Sequence, residues 1–161
     1  MSTLPAAPKR AHLVGGIVAP LCIAGFFLAT VLVELFGSHA AVAQVKSLIV
    51  TPGLWILIPA IAAAGGSGMF LSRSRGGRLV AAKKKRMPFI AANGLLVLVP
   101  CAIVLNRWAS AGNFGAGFYA LQAVELLAGA INLTLMGLNV RDGLRMAGRL
   151  QGGRPVAAAR G

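Results

Sequence analysis

The sequence predicts an all-α protein: a four-transmembrane-helix bundle, antiparallel and up-down, with both termini cytoplasmic. Three observations carry that expectation. Of 161 residues, 57% are hydrophobic and 12% charged, against about 25% charged in soluble domains. The apolar residues gather into four runs, each near the length of roughly 20 residues that crosses a bilayer as one helix. The cations gather between and beyond those runs, 16 Lys and Arg against three acids, for a formal charge of +13. At this length one domain is expected.

Residues 1–12 are polar, with Pro5, Pro8, Lys9 and Arg10. They read as a cytoplasmic tail, disordered at its start. The first span, about 13–36, is too long for the apolar core of a signal peptide, and no A-x-A site stands where cleavage would be expected. Pro20 loosens this helix locally, and Thr30 and Glu34, four apart, share a face. The connection SHAAVAQVKS has a single cation, Lys46, and reads as a short helix along the interface. The second span, about 49–71, has Trp55 near its start as an interfacial aromatic. Pro59 should kink it, and it ends in GGSG, where another helix can approach closely.

The segment SRSRGGRLVAAKKKRMP, 72–88, holds seven cations and no acid, and reads as a loop. The third span, about 89–105, is short and interrupted by Pro100. Asn106, Arg107 and Trp108 close it. After the uncharged linker SAGNFGAG comes the fourth span, about 117–139. The basic tail, 141–161, carries five arginines and Asp142. Residues 140–150 read as a continuation of the fourth helix, amphipathic and on the membrane surface, with a disordered end beyond.

Cations mark the cytoplasmic side of a membrane protein. The rule puts both termini and 72–88 inside and 37–47 and 106–117 outside, in a multi-pass protein of the bacterial inner membrane. Lys83, Lys84, Lys85 and Arg86 would then face anionic headgroups, at about 1 kcal/mol per cation near the surface. The cations are not interleaved with aromatics on one surface, so nucleic acid is not an expected partner. The expected partners are membrane lipid, anionic headgroups included, and a membrane protein or further copies of this chain.

The fourth span carries a polar line. Glu125, Asn132 and Asn139 recur every seven residues, with Gln122 one turn before Glu125. That spacing stays close to one helix face. A rise of about 1.5 Å per residue sorts the polar residues of all spans into two layers. Ser67, Asn93 and Asn132 fall roughly 7 to 9 Å from the cytoplasmic ends of their spans and read as a structural layer of interhelical hydrogen bonds. Thr30, Glu34, Cys101, Gln122 and Glu125 fall in the outer half, with Arg107 and His39 at the rim. Glu125 lies deepest, roughly 12 Å in, and an intramembrane carboxylate is a functional hypothesis by default. Arg107 is the cation expected to reach Glu34 or Glu125.

Cys22 and Cys101 lie in different spans, form no CxxC, and read as small hydrophobes. No metal site is expected. The weakest candidates, His12 and His39, stand 27 residues apart, roughly 40 Å along a straight helix, and cannot share one haem b. No cofactor is the favoured reading. GxSxG, P-loop and HExxH motifs are absent from the chain, which leans the reading away from an enzyme.

Three stretches, GGSGMFLSRSRGGRL, AAKKKRMPFIAANG and QAVELLAGAINLTLMGLN, resemble the broad set of small, uncharacterised four-helix inner-membrane proteins of bacteria. The resemblance is architectural, covers residues 13–140, and transfers no active-site residue. The favoured function is a non-catalytic subunit or accessory factor acting through lateral helix contacts. The alternatives are a small transporter or proton-conducting protein using Glu125, and a haem- or quinone-linked redox protein.

Overall fold

In hydrocarbon the backbone N–H and C=O groups have no water to bond, and a helix closes them within one segment. The computed structural model describes residues 6–71, 77–146 and 148, helical almost throughout and without strands among the described residues. The elements are α1 (Ala6–Phe36), α2 (His39–Leu48), α3 (Trp55–Leu71), α4 (Arg78–Asn93), α5 (Val99–Ser110) and α6 (Ala116–Met146). α2 is joined to α3 by a kinked segment, Ile49–Leu54, whereas α4 runs into α5 through a widened, π-helical one, Gly94–Leu98. The result is four rods, Ala6–Phe36, His39–Leu71, Arg78–Ser110 and Ala116–Met146, each long and apolar enough to cross a membrane.

The rods are longer than the apolar runs. At 31 to 33 residues each is roughly 46 to 50 Å long, against about 30 Å of hydrocarbon. Hydropathy marks where a helix is greasy, not where it stops, and Ala, Lys and Arg are good helix formers. Residues 6–12, expected as tail, already belong to α1, and residues 78–88, expected as loop, form the first turns of α4. Residues 39–48 do form the short helix expected there, α2, which packs against α5 and α1. Residues 140–146 simply continue α6, packed on α4. The expected disorder at the first residues and over the last ten falls outside the described residues, as do Arg73 and Arg75.

Two prolines shape the rods differently. Thr51 is extended (φ −137°, ψ 112°), because a residue before proline is steered away from helical angles. The second rod therefore breaks at Thr51–Pro52. At Pro100 the missing N–H and the ring would clash with a normal helix. Here the preceding turn widens, with Val99 N–H bonding Gly94 O, and the third rod runs on.

Contacts make the bundle antiparallel. On rods one and two, His12 meets Ala64, Gly15 meets Ala60 and Phe26 meets Gly53. On rods three and four, Asp142 meets Arg86, Asn132 meets Asn93 and Gly117 meets Trp108. Two aromatic–glycine seats hold α1 in place: Phe26 lies over Gly53 of rod two and Phe27 over Gly129 of α6. One core cluster gathers Ala19, Ile23, Leu54, Leu57 and Ala60, and a second gathers Val42, Cys101, Leu105, Ala109 and Phe118.

α1 and α3 approach closely at Gly15, where an added Cβ would stand 2.6 Å from Ala60 O and 2.8 Å from Ala64 N. Both are backbone atoms, so only separation of the helices relieves the clash. Neighbouring Gly16 has nothing within 4 Å of such a Cβ. We expect Gly15→Ala to lower the melting temperature in mild detergent, at about 1–3 kcal/mol for overpacking. Gly16→Ala should leave it unchanged or raise it, because Ala is the better helix former by about 1 kcal/mol. Equal melting of the two variants would remove Gly15 as the contact that sets the α1–α3 separation.

Candidate functional site

Glu125 projects from α6 into the bundle, and its partner comes from α2. Lys46 Nζ lies 2.5 Å from Glu125 Oε2, with the lysine 1% exposed. Gln122, one turn earlier on α6, donates from Nε2 to the same oxygen at 2.8 Å. Thr30 and Cys101, from α1 and α5, are buried. Glu34 stands within the electrostatic field of Lys46, His39 and Glu125. Glu34 Oε1 and Gln122 Oε1 are buried and accept no hydrogen bond from described residues. The outer cluster thus holds two carboxylates and one ammonium group.

Lys46 is the member the sequence reading missed. By sequence it stands as the single cation of a connection that reads as a short interfacial helix. The signal was periodicity: Val42, Lys46 and Ile49 stand at i, i+4 and i+7, on one helix face, and all three are buried. Arg107, expected to supply the counter-charge, does not. On α5 the buried positions are Cys101, Ala102, Leu105 and Ala109. Arg107 lies on the opposite face, exposed, and makes no ion pair among the described residues.

A cavity of about 60 Å³ adjoins the pair. Its wall is apolar, built from side chains such as Ile23, Phe26, Leu57 and Leu98, with Thr30 and Glu125 as the polar contributors. The histidines lie apart. His12 Nδ1 is 3.1 Å from Ala64 O, whereas His39 stacks on Phe114 with ring centroids 4.1 Å apart. Among the described residues no three His, Cys, Asp or Glu side chains are grouped to hold a metal ion. Both cysteines are free thiols.

The second polar layer is built on two asparagines. Asn93 Nδ2 donates to Asn132 Oδ1 at 3.0 Å and to Ala128 O at 2.9 Å, and Asn132 Nδ2 donates to Ile90 O at 3.4 Å. Asn132 is fully buried. Ser67 does not join them. Its hydroxyl donates to the carbonyl of Ala63 in its own helix, with Ala64 O at 3.5 Å, the back-bonding that serine adopts inside helices.

A third polar group closes the far end of the α4–α6 pair. Arg86 Nη1 lies 2.7 Å from Asp142 Oδ2 and 3.5 Å from Asn139 Oδ1, and Asp142 is 1% exposed. Arg141 also reaches Asp142, at 3.3 Å. Of the four cations expected on headgroups, Arg86 is therefore held by the fold, Lys83 is half-buried, and Lys84 and Lys85 are exposed. Comparison with protein-family models, with curated proteins and with solved structures found no match.

Removing one partner of a buried ion pair leaves an uncompensated charge, at about 3–5 kcal/mol, whereas replacing both by uncharged groups is often neutral. Lys46→Met should therefore destabilise the bundle by that order in a detergent unfolding titration. The double variant Lys46→Met/Glu125→Gln should recover most of the loss. A double variant no more stable than Lys46→Met would mean that the lysine acts through packing rather than through Glu125.

Proposed function

We propose that this chain is a non-catalytic subunit or accessory factor of a bacterial inner membrane, acting through lateral helix contacts. One observation carries the reading. Val14, Leu21, Leu28 and Leu35 recur every seven residues on α1 and are 58–67% exposed. A strict repeat of seven is the pattern of a helix that packs along a second helix. Gly25 stands in the same stretch, and a Cβ there would meet nothing within 4 Å, which leaves room for a neighbouring backbone. The other face of α1 is used within the chain, on α3 and α6.

The interior supports the same reading. Glu125 is closed by Lys46 and Gln122, and the cavity beside it is walled by apolar side chains. A proton-conducting role for Glu125 has less support, because such a path needs polar groups leading to and from the carboxylate.

Purification in mild detergent should bring down a stoichiometric membrane partner. Gly25→Trp should release it while leaving the melting temperature of the isolated chain unchanged. Recovery of a homogeneous homo-oligomer alone, with no second chain, would count decisively against a subunit role.

The cation distribution also supports an orientation, with both termini and the 72–88 segment inside. The antiparallel bundle is consistent with it, since His12, Lys83 and Met146 lie at one end. A reporter fused after Gly161 should be active only in the cytoplasm; activity outside the cell would reverse the orientation.

A further inference from the structure

At the end of the bundle that carries Lys83, the two tight helix pairs part. α1 packs along α3 and α4 packs along α6, but α3 and α4 make only slight contact. Between them opens a groove of about 560 Å³, within the range of roughly 300–1,000 Å³ typical of ligand sites. α3 contributes Gly65 to its wall, and α4 contributes Lys83, Lys84, Met87 and Ala91.

The groove is graded in polarity. Along α4 it runs from Lys83 and Lys84 past Met87 and Pro88 to Ala91, a length of roughly 12 Å. Along α4 it is cationic at its outer end and apolar further in, with the His12 imidazole, held on Ala64 O, on the α1 side. Neither lysine is in an ion pair among the described residues, since Asp142, the acid of that end, is taken by Arg86 and Arg141. A Cβ on Gly65 would meet nothing within 4 Å, so the α3 wall is recessed where the groove turns apolar. Methionine walls are adaptable and suit a flexible chain.

We propose that this groove is a binding site for a phospholipid with an anionic headgroup. The phosphate sits against Lys83 and Lys84, and an acyl chain lies along Met87, Ala91 and Gly65. Basic pockets between transmembrane helices bind anionic lipid headgroups. A soluble anion would use the lysines but leave the apolar part of the groove unfilled. The proposal rests on the membrane placement of the four rods, and that placement fails separately, if the chain stays soluble and monodisperse without detergent.

The test is a thermal-stability titration of the full chain in mild detergent with phosphatidylglycerol, phosphatidylcholine or glycerol 3-phosphate. Phosphatidylglycerol should raise the melting temperature at concentrations where the other two do not. Lys83→Gln/Lys84→Gln should weaken its apparent affinity at least about tenfold, given roughly 1 kcal/mol per cation. Lys85→Gln, an exposed cation of the same helix outside the groove, should change it less than about twofold. Ala91→Phe should block binding with the charges intact. Should that variant fail to fold, the lysine pair still decides. Equal stabilisation by phosphatidylcholine, equal stabilisation by glycerol 3-phosphate, or an equal loss in Lys85→Gln would each overturn the proposal. They would point respectively to non-specific solvation, a soluble-anion site, and diffuse electrostatics.

Discussion

A charge carried into an apolar bundle must meet its opposite there, because neither water nor lipid will satisfy it. Lys46 and Glu125 meet that condition across rods two and four. The pair fixes the rotation of α2, since Lys46 can reach α6 only if Val42 and Ile49 also face inward. Both do. It also fixes the height of α2 against α6, with Gln122 sharing the same carboxylate oxygen. The break at Thr51 lies five residues beyond Lys46. α2 can therefore lean on α5 while α3 follows α1, two directions that one straight helix of 33 residues would not accommodate.

Around that pair the bundle is held mostly by close approach. Lipid tails are as apolar as leucine, so burial gives helices little reason to associate, and packing contacts and interhelical hydrogen bonds take over. Gly15 against Ala60, Phe26 over Gly53 and Phe27 over Gly129 are contacts of the first kind. Asn93 with Asn132 is of the second. Such hydrogen bonds average about 0.6 kcal/mol, so the asparagines select register more than they add stability. Gly94 lies beside Asn132, so the wide turn before Pro100 sits where the asparagine layer needs the third rod close.

The four-helix architecture was legible because it depends on run length and composition, which survive without tertiary information. Asn93 and Asn132 were legible as neighbours because antiparallel helices with known ends put equal depths side by side. Lys46 was not. Its segment reads as neutral and polar, and the feature that matters is a rotation about the helix axis that becomes visible only beside Glu125. Arg107 misled for the same reason: depth alone made it a partner, and its face on α5 excluded it. Arg86 and Asp142 were hidden because one stands in a segment that reads as a loop and the other in one that reads as a tail. Depth follows from a sequence by counting, whereas azimuth needs the neighbouring helix.

The cationic run on α4 illustrates what azimuth does. A loop would leave Lys83, Lys84, Lys85 and Arg86 equivalent, but a helix turns by about 100° per residue and sorts them. Positions 83, 86, 87, 90, 93 and 94 recur with helical spacing along the face that meets α6. Read inward, that face passes from Lys83 beside Gly143, to Arg86 on Asp142, to Met87 under Asn139, to Ile90 and Asn93 on Asn132. Its partners change from the carboxylate at Arg86 to the amide at Asn93. A single stripe is thus continuous across the boundary that hydropathy draws at residue 89, and each position is matched to its own depth. Lys84 and Lys85 fall off the stripe, and the turn that removes Lys84 from α6 brings it to the open side facing α3. Helix geometry thus sets Arg86 on Asp142 and Lys84 on the open side facing α3, within three consecutive residues.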